Sequence, residues 1–100
     1  MNLHTNKSTD GKELIIVMPE KFGFELHSEF RDAYKNENKI KQLVLDMKKT
    51  DYMDSSALGM MLQLKEHADS VKSKVKIKNV KGSILQIIKI AHFDKIFEIS

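Results

Sequence analysis

Two adjacent serines, Ser55 and Ser56, stand between an acidic stretch and a run of apolar residues at helical spacing. Their hydroxyls are the side chains best placed to do chemistry. A serine at a helix start caps it, because its oxygen accepts an otherwise orphaned backbone N–H. One cap needs one serine, so a second hydroxyl is left for another task. Phosphorylation is the natural one. A phosphate adds about −1.5 to −2 charges near neutral pH. At a helix N-terminus it meets free N–H groups and the positive end of the dipole, an interaction worth up to about 2 kcal/mol. Asp46, Asp51 and Asp54 oppose it by like-charge repulsion, so the fold should tolerate the modification. A surface around Asp54, Ser56, Ala57, Leu58, Gly59 and Met60 would nevertheless turn from neutral to anionic. Burying an unpaired charge in an interface costs several kcal/mol, which is enough to switch binding. Gly59, a poor helix former in the first turn, would let a partner approach closely. Ser55 is expected to carry the phosphate and Ser56 to take the larger part in starting the helix.

Other chemistries find less support. His4, His27, His67 and His92 include no pair three or four residues apart, so no metal site is expected. There is no Gly-x-Ser-x-Gly elbow and no phosphate-cradling loop. With no cysteine, thiolate sites and disulfides are excluded. The chain therefore reads as a non-enzyme without a cofactor. Lys72, Lys74, Lys76, Lys78 and Lys81 form a basic run, and a small basic nucleic-acid-binding domain is the alternative reading. No aromatic residue is interleaved for base stacking, and the net charge of +3 is modest. The run reads better as an edge strand guarded by lysines. Met47, Met53, Met60 and Met61 cluster around the serines; they read mainly as core, and any exposed one would line a docking surface.

The elements that position these residues follow from periodicity. One hundred residues suit one domain over 1–100. Met1 to Asp10 is polar and is not a signal peptide, and no apolar run is long enough to span a bilayer. A cytoplasmic protein is expected. Leu14-Ile15-Ile16-Val17-Met18 is a continuous branched run that predicts a strand buried on both faces, ended by Pro19. Asp10-Gly11 before it signals a turn and a hairpin with Leu3 to Ser8. Leu26, Phe30, Ala33 and Tyr34 predict an amphipathic helix from Glu25 to Lys35. Leu43-Val44-Leu45 predicts a central strand. Ala57, Met60, Met61, Leu64, Ala68 and Val71 form one face of a long helix after Ser56. Val75 to Lys78 alternates as a half-exposed edge strand does. Ile84, Ile87, Ile88 and Ala91 form the face of a third helix opened by Gly82-Ser83, and Phe97-Glu98-Ile99 predicts a last short strand. Strands alternating with helices imply parallel crossovers. The class is α/β: a mixed sheet of four to five strands with three helices mainly on one face.

Val44-Leu45-Asp46 followed by Met53-Asp54-Ser55-Ser56-Ala57-Leu58-Gly59 closely resembles the core motif of the STAS domain, the anti-sigma factor antagonist family. That motif runs hydrophobic-x-Asp-Ser-Ser/Thr-Gly-Leu-Gly after a strand ending in Asp or Asn. The resemblance covers nearly the whole chain and includes the late helix with Phe93 and Phe97 after it. It implies a STAS-like fold and a bacterial, cytoplasmic phosphoprotein of signal transduction that regulates transcription by partner switching. In this family the first serine after the aspartate is phosphorylated, which here is Ser55. The implied partners are an anti-sigma factor or serine kinase, which binds the unmodified form, and a serine phosphatase that resets it. No membrane partner is implied. Two positions depart from the pattern. Ala57 replaces the usual glycine. Met18-Pro19-Glu20-Lys21-Phe22-Gly23-Phe24 replaces a turn that usually carries an aspartate, which points away from the usual sporulation or stress-response kinase and toward a divergent branch.

Overall fold

The computed structural model describes residues 3–100. Strand β1 (His4–Lys7) pairs antiparallel with β2 (Glu13–Val17). The turn between them is set by Asp10, whose carboxylate accepts from the Ser8 hydroxyl at 2.6 Å and from the Lys12 N–H at 3.0 Å. Gly11 sits there at φ +73°, a left-handed conformation that suits glycine. A two-residue strand β3 (Lys21–Phe22) and a 3₁₀ turn (Phe24–Leu26) lead into helix α1 (His27–Tyr34). Then come β4 (Gln42–Asp46), β5 (Tyr52–Met53), α2 (Ser55–Ser70), β6 (Lys74–Lys78), α3 (Gly82–Ile90) and β7 (Glu98–Ile99).

The main sheet has the order β1-β2-β4-β6-β7, and every pairing after the first is parallel. β4 is its centre, as its apolar run predicts. The three helices pack on one face. Leu14, Ile16, Leu43, Leu45, Val75 and Ile77 point into a core shared with Phe30, Tyr34, Met61, Leu64, Ala68, Ile84 and Ile88. This fold is the expected mixed sheet with helices on one side.

Two expectations are corrected. The run Leu14 to Met18 is not buried on both faces. Leu14, Ile16 and Met18 are buried, but Ile15 and Val17 are half-exposed on the helix-free face. There Ile15 pairs across the sheet with Val44 and Val44 with Lys76, and this row shields Val44 without any helix above it. Nor is β6 an edge strand. It lies between β4 and β7, with Lys76 opposite Glu98 and Ile77 opposite Ile99. Its alternation reports the one-sided burial of the sheet, which is the same for an inner strand as for an edge strand. Its lysines face solvent in mixed company: Lys78 lies beside Asp46, and the Lys76 ammonium is 3.8 Å from the Glu98 carboxylate. The four methionines are all core, so none of them lines an exposed surface. Among the described residues no helix is long and apolar enough to cross a membrane.

The one-sided sheet makes a testable contrast. Leu45 is fully buried under the helices. Leu45→Ala should cost about 2–5 kcal/mol of unfolding free energy. Ile15→Thr keeps the branched strand former on the helix-free face and should cost about 1 kcal/mol or less. Urea denaturation of both variants measures the difference, and equal losses would contradict one-sided packing.

Candidate functional site

The serine pair is placed by a clasp between two loops. The chain leaving β4 turns at Asp46, whose Oδ1 accepts from the Lys48 N–H at 3.1 Å and from Asn79 Nδ2 at 2.8 Å. It then runs back as β5, which pairs in parallel with β3: Lys21 opposite Tyr52 and Phe22 opposite Met53. The N–H groups of Asp51 and Tyr52 both donate to the Glu20 carbonyl, at 2.9 and 3.2 Å. The buried Thr50 hydroxyl donates to the Pro19 carbonyl at 2.8 Å. The loop after β2 thereby fixes the segment that delivers the helix start. Met18 to Phe24, the stretch where the sequence departs from the family pattern, is part of this clasp.

The helix cap is Asp54, not a serine. Its backbone is extended, at φ −106° and ψ 179°, and its Oδ1 accepts from the Ala57 N–H at 3.1 Å. The same oxygen accepts from the Ser56 hydroxyl at 2.6 Å. Ser56 therefore does help to start the helix, by bracing the cap. The Ser56 hydroxyl, followed by backbone N–H groups of Ala57, Phe24 and Ser56, holds the Asp54 carboxyl below its ordinary range; partial burial opposes this. Gly23 is buried beside it, and a Cβ there would come within 3.0 Å of the Asp54 carboxylate. Ser55 is the first residue of α2. It is exposed, and its hydroxyl has no hydrogen-bond partner among the described residues.

The remaining motif residues divide by face. Ala57 and Met60 are buried in the core. Leu58 is half-buried, and Gly59 is exposed with open space where a side chain would stand. Ser55, Leu58, Gly59 and Leu62 are spaced by three, four and seven residues, so they share one side of α2. Leu62 is 44% exposed. Two other apolar side chains are exposed near the helix start: Phe24, at 65%, stacked on His27, and Tyr52, at 50%. Tyr52 lines a shallow cavity of about 250 Å³ with Lys21, Glu25 and Asp54. Sequence reasoning missed Tyr52 and Leu62, and named Phe24 only as part of the divergent turn. Tyr52 offered a faint signal, an aromatic residue directly after the acidic Asp51, and so did Leu62, a leucine off the apolar stripe of its helix; Phe24, next to the apolar Phe22 and Gly23, offered none. Among the described residues no three His, Asp or Glu side chains converge as metal ligands would.

Because the carboxyl of Asp54 titrates lower in the folded chain than in the unfolded one, its contribution is complete above the ordinary carboxylate range. It is lost as pH falls through the folded value. Asp54→Ala should cost about 0.5–2 kcal/mol at neutral pH, and that cost should shrink as pH falls below about 4. Urea unfolding of wild type and variant at both pH values checks the sign; a cost that grows in acid would refute the cap.

Comparison with known proteins agrees with this geometry. A sequence profile of the STAS domain matches residues 5–100. A STAS-domain containing protein of Pseudomonas aeruginosa (strain UCBPP-PA14) is 37% identical over 94 residues, covering 93% of each chain. The anti-sigma factor antagonist SpoIIAA, in its unphosphorylated form, superimposes with a TM-score of 0.75 at 11% identity, covering 98% of this chain and 86% of its own. A sulfate transporter family protein from Wolinella succinogenes shares the fold as well, with a TM-score of 0.76 at 14% identity over 89% of this chain and 78% of its own. At those identities the structures speak for the fold alone, and the profile and the Pseudomonas relative carry the assignment. On that footing, this chain belongs to the STAS domain family.

Proposed function

We propose that the chain is a non-enzymatic, cytoplasmic partner-switching module of the anti-sigma factor antagonist kind, acting as one unit, with Ser55 as its phosphorylation site. One observation carries the reading: of the two serines, Ser55 is exposed and unengaged while Ser56 is tied to Asp54. A kinase can reach the first without disturbing the cap. The unmodified module binds an anti-sigma factor or serine kinase, the modified module releases it, and a serine phosphatase restores binding. The name of SpoIIAA as an anti-sigma factor antagonist, and its study in phosphorylated and unphosphorylated forms, support the analogy.

In this reading the motif residues divide their roles by face. Leu58, Gly59 and Leu62 continue the side of α2 on which Ser55 stands, and with Phe24 and Tyr52 they offer a partner apolar area around the serine. Adaptable aromatic and leucine side chains ringing a small residue suit an interface core. Ala57 and Met60 act from beneath, by seating the helix on the sheet. Asp54 and Ser56 act by fixing where the helix starts. A phosphate on Ser55 lies at the positive end of α2, which favours it, beside the Asp54 carboxylate, which does not. The two effects offset, so the fold persists. Within an interface the same phosphate would be a buried charge with no partner.

Ser55→Asp should weaken partner binding by at least about tenfold, and less completely than phosphate does, since a carboxylate has one charge and fewer acceptor oxygens. Ser55→Ala should bind like the unmodified protein and resist regulation. Neither should change stability by more than about 1 kcal/mol. The experiment captures the partner from the native cell with the wild-type chain, maps phosphate by peptide mass spectrometry, and measures affinity and melting temperature for both variants. Phosphate found only on Ser56, or undiminished binding by Ser55→Asp, would overturn the assignment.

A further inference from the structure

At the far end of α1 and α2 from the serines, the two helices face each other across a groove of about 490 Å³. Arg31, Tyr34 and Lys35 line it from α1 and its C-cap, and Gln63, Glu66 and His67 from α2. Each helix contributes residues at i, i+3 and i+4, the spacing of one helical face. The size lies within the range of small-molecule sites.

The floor is rigid. Tyr34 is 4% exposed, with its ring edge-on to Phe30 and tilted against His67 at 5.2 Å between centroids. His67 Nε2 donates to the Glu37 carbonyl at 2.9 Å, which fixes that ring and leaves Nδ1 an acceptor when the ring is neutral. Tyr34 lines the groove, and its hydroxyl takes no hydrogen bond among the described residues. Burial raises its pKa, so it stays a protonated donor, and Arg31 and Glu66, which line the same groove, act on it in opposite directions. Arg31, the only arginine of the chain, makes no ion pair among the described residues, and neither does Glu66. Lys35 is engaged by Asp32 at 2.9 Å.

A planar guanidinium fork, a phenol donor and a carboxylate around one small groove complement a ligand with charges of both signs. A carboxylate matches the two N–H donors of Arg31 and the Tyr34 hydroxyl. An ammonium group matches Glu66, with Gln63 and His67 Nδ1 as further acceptors. We propose that this groove binds a zwitterionic small molecule of the free α-amino acid class, its carboxylate on Arg31 and Tyr34 and its ammonium on Glu66. Glu66 lies eleven residues beyond Ser55 on the same helix, about 16 Å along its axis, so the site is separate from the serine and does not rest on its modification.

The test is a ¹⁵N–¹H NMR titration of the full chain with each common L-α-amino acid, and with acetate and methylammonium as single-charge controls. At least one amino acid should shift the amides of residues 31–35 and 63–67 with a Kd of about 1 mM or tighter. Both controls should bind at least about tenfold more weakly. Arg31→Gln and Glu66→Gln, both at exposed positions, should each lose at least about tenfold in affinity, while their spectra elsewhere match wild type and report intact folding. No shift with any amino acid, acetate binding as well as the best amino acid, or wild-type affinity in Glu66→Gln would each overturn the proposal.

Discussion

Parallel strands put their C-terminal ends along one edge of the sheet, and everything else about the serine site depends on that constraint. β2 and β4 run side by side in register, from Glu13 opposite Gln42 to Val17 opposite Asp46. The loops that leave them must therefore emerge together. They meet as a second, two-stranded parallel sheet and as the Thr50–Pro19 hydrogen bond. The helix that follows is aimed by this meeting of loops. Asp54 then fixes its first turn, and Ser55 is presented to solvent as a consequence of backbone pairing two strands away. Open parallel sheets commonly build their sites at this edge.

Much of this was legible in the sequence, for identifiable reasons. Leu43-Val44-Leu45 announced the central strand because all three side chains are buried there. Ala57, Met60, Met61, Leu64 and Ala68 announced the face of α2 because a helix on a sheet buries one stripe. The motif Asp54-Ser55-Ser56 pointed to the start of α2 because it sits at a strand-loop-helix junction. The misread features share a cause. A continuous apolar run does not distinguish a strand covered on two faces from one covered on a single face, and Ile15 and Val17 are of the second kind. Alternation does not report a strand's position in the sheet, so the two-residue β7 was needed to see that β6 is inner. Asp, Ser and Ser are all good caps, and only the geometry showed that Asp54 takes the N–H of Ala57 while Ser56 supports it. Phe24 and Tyr52 are non-local. Their neighbourhood with Ser55 is created by pairing between residues about thirty positions apart, which no local pattern encodes.

The first turns of α2 carry buried and exposed residues side by side. Ala57 and Met60 are buried in the core, Leu58 packs partly against it, and Ser55 and Gly59 are exposed. A change of charge at Ser55 falls on an exposed residue. Exposed positions of the helix can therefore vary with little effect on the packing beneath them, and proteins that share a fold can differ in function.

The clasp between the two loops also has a kinetic meaning. Thr50 and Pro19 are 31 residues apart in the chain, so closing that contact in an unfolded chain would carry a substantial entropic cost. Once β2 and β4 have paired, both loops are already anchored a strand's width apart, and only a few residues are left to order. The serine platform is thus expected to dock after the sheet has formed and to open before it melts. Its opening would expose Thr50 and the Asp54 cap while the helices stay packed on the sheet.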